Sequence, residues 1–274
     1  MFDKIKTLLQ INPRYGKAET PSADEVTLEK YYDLYTRMTA GAEEIQALVL
    51  GATPELRDIV LSYGHYLTTV DKSWEALDAK TKLMHYKHSP HEKVVVKDWL
   101  AMDFPENFFD VILGDGVLTV LKPEEQKKLL SKLNKFLKPT GSLLLREEAR
   151  PAQNIKFAPD IIVNNFRTGN YNLFDLFFGL RLHNQNYKAF DPYTQKVRLK
   201  DFLEKLGLYQ RQNIITKDEL KQLKGLAEEL EHTLLSKTEI EELLHHHFSP
   251  REITHDIGSG HLSPWYFFLH QPRE

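Results

Sequence analysis

Gly51 and Asp71 are the residues whose types and spacing point most directly to chemistry. Gly51 closes the apolar run Ala47-Leu48-Val49-Leu50, and Asp71 closes a second run, Tyr66-Leu67-Thr68-Thr69-Val70, with Lys72 beside it. About twenty residues separate the two, the distance at which a strand, turn, helix and strand unit brings a carboxylate to the hydroxyls of a bound ribose. The implied ligand is a nucleoside. A dinucleotide fits less well, because Ala52-Thr53-Pro54-Glu55 follows Gly51 and the further glycines that let a backbone approach a diphosphate are missing.

Two more pairs stand at the ends of strand-like runs. After Val96 come Asp98 and Trp99, an acid that can accept from an adenine amino group and a ring that can cover the base. After Leu113 come Asp115 and Gly116, at the carboxyl edge where ligands of open α/β sheets bind. Each also has a plain structural reading: a surface acid, a core tryptophan, a tight turn. The run His245-His246-His247 is read as a solvated helix end, since adjacent residues on a helix diverge by about 100° and do not converge on one ion. Glu147-Glu148, between Arg146 and Arg150, reads equally as solvated acids or as a site for a basic substrate. His255 and His261 flank a glycine loop and are candidates for the same cleft.

These groups need a scaffold, and the chain has room for one. Its 274 residues, 41% of them hydrophobic, are enough for a large core. With no cysteine, a disulfide framework, a zinc–thiolate site and a cysteine nucleophile are excluded. A formal charge of -3 does not favour nucleic acid or an anionic membrane. The apolar run within the first ten residues is shorter than a signal peptide requires, and no stretch has the length of a membrane span, so a cytoplasmic location is expected.

Strand-like runs at 47–50, 66–70, 93–96, 109–113 and 142–145 alternate with helical ones, which predicts a Rossmann-like, doubly wound, mostly parallel sheet covered on both faces. Residues 22–46 form an N-terminal helical segment with Leu28, Tyr31, Tyr32, Tyr35 and Met38 on one stripe. Residues 151–230 break the alternation: 164–170 reads as loop, and 171–182, 197–206 and 217–235 as helices, together an inserted helical cap. Its aromatic residues Phe166, Tyr171, Phe174, Phe177, Phe178, Tyr187, Phe190 and Tyr193 suit a packed face more readily than a pocket. A helix at 237–246 and strands at 251–256 and 265–270 close the chain; their short connection calls for an antiparallel hairpin at the sheet edge. One domain is expected, with 1–46, 47–150, 151–230 and 231–274 as its parts.

This ordered set resembles the class I S-adenosylmethionine-dependent methyltransferases. Besides the Gly51 turn and Asp71, the resemblance rests on Val96-Lys97-Asp98-Trp99, on 104–116 (Phe-Pro-Glu-Asn-Phe-Phe-Asp-Val-Ile-Leu-Gly-Asp-Gly), on Leu118 and Leu121 before a helix, on 136–145 entering the fifth strand, and on the closing hairpin. It covers about 46–145 and the last thirty or so residues. It implies S-adenosylmethionine as cofactor, held by Gly51, Asp71, Asp98 and Trp99, with Asp115 and Gly116 beside its methionine part and Tyr32 or Tyr31 on a helix folding over it. The first loop departs from the family by its single glycine. There Thr53 offers a hydroxyl and a helix N-cap, Pro54 suits a first helical turn, and Glu55 can pair with the ammonium group.

The implied reaction is in-line methyl transfer to a small organic acceptor, since no basic balance or Asn-Pro-Pro-Tyr-like element points to nucleic acid. Among Asp115, Glu148, His255 and His261 no general base is singled out. The alternative is a non-catalytic S-adenosylmethionine-fold protein serving as a binding or assembly module.

Overall fold

A computed structural model describes residues 25–150, 158–171, 173–185, 190–191, 196–197, 199–229, 233–256 and 264–273. The chain enters through helix α1 (Glu25–Met38), then alternates: β1 (Gln46–Leu50), α2 (Pro54–Ser62), β2 (Tyr66–Asp71), α3 (Trp74–Thr81), β3 (Glu92–Val96), β4 (Phe109–Asp115), α4 (Pro123–Phe136) and β5 (Leu137–Glu148). The insertion follows as α5 (Pro159–Arg167), α6 (Leu173–Gln185), the two-residue strands β6 (Phe190–Asp191) and β7 (Lys196–Val197), α7 (Leu199–Arg211) and α8 (Lys217–Glu229). Helix α9 (Lys237–His245) and strands β8 (Phe248–Asp256) and β9 (Trp265–Pro272) complete the described chain.

Seven strands form one sheet in the order β3-β2-β1-β4-β5-β9-β8. The pairings among the first five are parallel, and β9 runs antiparallel to both β5 and β8. The expected sheet and closing hairpin are therefore present. Strand alternation explains why both faces are covered. Ala47, Val49, Val111, Leu113, Leu144, Phe267 and Leu269 bury themselves under α1 and α2, whereas Leu48, Leu50, Ile112, Leu143, Leu145 and Phe268 face α4 and α9. The strand order reverses between β1 and β4, which opens a crevice at the carboxyl edge between their ends.

The insertion carries an apolar cluster of its own. Ile162 and Val163 of α5, Phe177 and Phe178 of α6, Phe202 and Leu206 of α7 and Leu223 of α8 pack together, with Phe177 edge-on to both Phe178 and Phe202. Those rings are a core, as their spacing suggested. The loop expected from Asn164 is instead the last turn of α5, because Pro159 starts a helix there and burial of Ile162 and Val163 holds it. The expected glycine loop with His261, and Tyr187 and Tyr193, lie outside the described residues, as do the side chains of Phe174 and Phe190. Among the described residues no helix is long and apolar enough to cross a membrane, and none of their His, Asp and Glu side chains form a cluster able to hold a metal.

One buried group makes stability depend on pH. His270 of β9 is fully buried near His245 of α9, ring centroids 6.3 Å apart, and burial followed by the neighbouring His245 pushes its pKa down from 6.5 to about 4. The unfolded chain thus binds this proton near pH 6.5 and the folded chain only near pH 4. The contribution is present above 6.5 and lost as pH falls toward 4, by roughly 3 kcal/mol at full extent. Buried carboxylates titrate in the same range with opposite sign, so the check is a comparison: denaturant unfolding of wild type and His270→Leu at pH 7 and pH 4.5. The variant should gain about 2–3 kcal/mol relative to wild type at the lower pH.

Candidate active site

The site begins with Gly51. Its φ of +96° is a left-handed conformation that a side chain would strain, and its amide donates to the carbonyl of Val70 at 2.8 Å. Trp99 uses the same carbonyl, its indole N–H donating at 2.7 Å. Neighbouring strands β1 and β2 and the loop after β3 are thereby tied at one point. A Cβ placed on Gly51 would lie 3.6 Å from Trp99 Cζ2, 3.9 Å from Asp71 Oδ2 and 4.0 Å from Thr53 Oγ1. Four of the residues singled out in the sequence thus converge on one cradle, kept open by the missing side chain.

The cradle suits an adenosyl group. Asp71 spends one oxygen on the amide of Ser73 at 2.8 Å, while Oδ2 turns toward Gly51. Thr53 occupies the N-cap position of α2 yet makes no capping bond through its side chain, so its hydroxyl remains on the Gly51 side. Asp98 folds one carboxylate oxygen onto the amide of Leu100 at 2.7 Å and is otherwise exposed, as is Lys72. Trp99, bonded at one end and packed against the core at the other, offers a fixed ring. A second diphosphate-sized approach has no glycine to admit it, since Pro54 and Glu55 already begin the helix.

On the other side of the crevice, around the end of β4, lies a charged cluster. Arg146 on β5 stands in register with Asp115 on β4 and donates to it at 3.0 Å, and it also donates to Asp256 of β8 at 2.7 Å. Thr27 of α1 donates to the same Asp256. The guanidinium lies over the ring of Trp265, 4.3 Å from its centroid. Burial alone would loosen the proton of Arg146; Asp115 and Asp256 more than offset this. Gly116, also left-handed at φ +66°, turns the chain away with its open side toward Trp265. Within the cluster Asp115 is the member that reaches solvent, its side chain 15% exposed against 5% for Arg146 and 1% for Asp256.

Two further acids hold protons near neutrality. Glu55, in the first turn of α2, is raised to about 7 by burial, with the charge of Asp115 adding to it and Lys80 opposing. Glu147 is raised to about 8, again first by burial, although it accepts from the amide of Leu118 at 3.0 Å and the hydroxyl of Thr119 at 3.3 Å. Glu148 accepts twice from one nitrogen of Arg181 on α6, at 2.9 and 2.8 Å, and both side chains are buried. The reading of Glu147-Glu148 as solvated acids is thus overturned: β5 runs on to Glu148, and the insertion and the loop after β4 cover its end.

Tyr32 is not brought to this edge. It is buried between α1 and α2, with its hydroxyl donating to Ser62 at the far end of α2. Tyr31, one residue earlier, faces the charged cluster instead; burial and then Asp115 raise its pKa. His255 lies against Tyr266 at a tilt of 42° and is exposed. Arg146, Asp256 and Trp265 were missed as a group. The one available signal was an arginine inside the apolar strand Leu143-Leu144-Leu145, and its meaning depends on a strand register that spacing alone does not give.

Residues 51–141 match a family model described as a methyltransferase domain. With the sheet order and its antiparallel β9, this makes the chain the bearer of a class I S-adenosylmethionine-dependent methyltransferase domain. Phosphoethanolamine N-methyltransferase of Plasmodium falciparum is 39% identical over 61 residues, 22% of this chain and 23% of that enzyme. The chain therefore matches under a quarter of the length of that curated relative.

Among solved structures, the 1,6-didemethyltoxoflavin-N1-methyltransferase of Burkholderia thailandensis superposes with a TM-score of 0.54 at 12% identity, covering 90% of this chain and 78% of that one. A Rhodobacter sphaeroides protein named for the Zn-dependent alcohol dehydrogenases superposes with a TM-score of 0.59 at 12% identity, covering 99% and 97%. At such identities the likeness shows the fold alone.

Proposed function

We propose that this protein transfers a methyl group from S-adenosylmethionine to a small organic acceptor. The observation that carries the reading is the convergence of Gly51, Thr53, Asp71 and Trp99 on one cradle, at the point where the strand order reverses. Asp71 accepts from the ribose hydroxyls, with Lys72 at the rim. Trp99 covers the adenine, and the free oxygen of Asp98 accepts from its amino group. Thr53 and Glu55 lie along the methionine part, where the ammonium group stabilises the charged form of Glu55. Asp115 and Gly116 border the end at which transfer takes place.

When bound, the sulfonium supplies a methyl carbon to an in-line nucleophile, and sulfur keeps the electron pair of the broken bond. The protein's own part is to orient the acceptor and exclude water; orientation alone is worth roughly 7–11 kcal/mol. The described helices between 158 and 229 serve as a cap within a single domain, seated on the sheet through Arg181 and Glu148. Two of the similar proteins named above are N-methyltransferases of small molecules by name, which supports an acceptor of that size.

A crystal structure with S-adenosylhomocysteine tests this. The sulfur should face a chamber bounded by Asp115, Gly116, Trp265 and the insertion. If the sulfur opened onto a broad flat surface or a basic groove, the small-acceptor reading would be wrong.

A further inference from the structure

From the edge of the sheet at β3 we infer that this protein takes up a strand from a partner protein, an extended segment in which acidic and apolar residues alternate. The inference is independent of the cofactor reading. β3 stands first in the sheet order, so among the described residues one side of it has no neighbouring strand. On its other side the amide of Lys97 donates to the carbonyl of Asp71, and the amide of Leu67 donates to the carbonyl of His91, each at 2.9 Å. The backbone at 91 and 97 therefore faces β2, and by alternation the N–H and C=O groups of Val94 and Val96 point outward. The outward amide of Glu92 is taken up locally by the carbonyl of Ser89 at 3.3 Å.

The side chains of this edge alternate too. Val95 packs against the core cluster on the face that α4 covers, and Lys93 and Lys97 share its side of the strand. Both lysines are exposed, and neither has an ion-pair partner among the described residues. On the opposite face Val94 and Val96 are 39% and 49% exposed.

The other edge of the sheet is guarded differently. Pro250 stands in β8, the ladder is irregular between Pro250 and Glu252, and Glu252 is paired with Lys30 and Arg37 of α1. β3 carries no proline and keeps an even register with β2, so its guard is the charge of Lys93 and Lys97. Such a guard repels like charges and admits opposite ones. A second copy paired antiparallel about Val95 would set Lys93 against Lys97, and one paired about Val94 would set Lys93 against Val95 and Glu92 against Val96. An alternating acidic and apolar strand suits both faces at once. Its carboxylates lie beside Lys93 and Lys97, its apolar side chains cover Val94 and Val96, and its backbone pairs with their outward groups.

Fluorescence anisotropy of a labelled peptide alternating glutamate and valine tests this on the full chain. Wild type should bind it saturably and should bind a peptide alternating lysine and valine about tenfold more weakly or less. Lys93→Glu with Lys97→Glu should reverse that preference, because each change turns a cross-strand attraction into a repulsion. Val94→Pro removes an outward donor and leaves the ladder to β2, so it should cost about tenfold or more in binding with little change in melting temperature. N-methylation of alternate peptide amides should abolish binding to wild type itself, whatever the variants do. Failure of the acidic peptide to bind wild type at millimolar concentration would overturn the inference, as would binding that survives both Val94→Pro and N-methylation. A dimer dissociated by Val94→Pro, or sedimentation with phosphatidylserine vesicles that the two glutamates abolish, each without peptide binding, would give the edge to a second copy or to a lipid surface instead.

Discussion

Replacing Asp71 by alanine should raise the dissociation constant of S-adenosylhomocysteine by about 10- to 100-fold. A carboxylate accepting from ribose hydroxyls makes charge-assisted hydrogen bonds worth roughly 1.5–3 kcal/mol, and each 1.4 kcal/mol is a factor of about ten. The oxygen facing the Gly51 cradle is the one that does this, since the other is held by Ser73 at 2.8 Å. Asp71→Asn keeps an acceptor in place and should lose less. The Ser73 amide released by the alanine lies at the partly exposed entry to α3, where water replaces the lost bond, so unfolding should shift little. Isothermal titration of the two variants decides. An affinity within threefold of wild type in the alanine variant would mean that Asp71 merely caps the turn after β2.

The largest effect on stability is expected at the junction between sheet and insertion. Glu148 and Arg181 form a buried ion pair, 0% and 4% exposed at their side chains, with the guanidinium 4.5 Å from the ring centroid of Phe178. Removing one partner leaves the other charge buried, a loss of about 3–5 kcal/mol, whereas replacing both with apolar residues of similar size is often close to neutral. Glu148→Gln and Arg181→Met should each destabilise by roughly that amount, and Glu148→Met with Arg181→Met together by much less than their sum. Chemical denaturation measures this. Limited proteolysis of Arg181→Met should then cleave first within 158–229. Additive single effects, or cleavage that begins elsewhere, would show that the insertion is seated by other contacts.

The parts legible in the sequence are those fixed by short-range rules. Apolar runs at strand length, separated by helical periodicity, predicted the parallel sheet, and the short link between the last two strands predicted their antiparallel pairing. Gly51, Thr53, Asp71 and Trp99 were legible because each stands at or within a few residues of a strand's carboxyl end or at a helix start, so its place at the carboxyl edge follows from the local turn. Arg146 and Asp256 were not legible in the same way. They are separated by 110 positions and meet through the register of β5, β9 and β8.

Which of Tyr32 and Tyr31 turns toward this edge was not legible for a related reason. Both lie on the buried stripe of α1, and one step of about 100° decides which of them turns to Asp115 and which to Ser62. For Glu147 and Glu148, flanking arginines suggested solvent, whereas β5 carries them under the loop after β4 and the insertion. Burial of that kind depends on which distant segment folds over the strand end, and no local pattern carries it.

The Gly51 cradle is expected to take an adenosyl amino acid and not a dinucleotide. Titrating the full chain with S-adenosylhomocysteine and, separately, with NAD tests it most directly. Saturable one-to-one binding of S-adenosylhomocysteine at micromolar concentrations is expected, with no measurable heat from NAD. Binding of NAD without S-adenosylhomocysteine would contradict it.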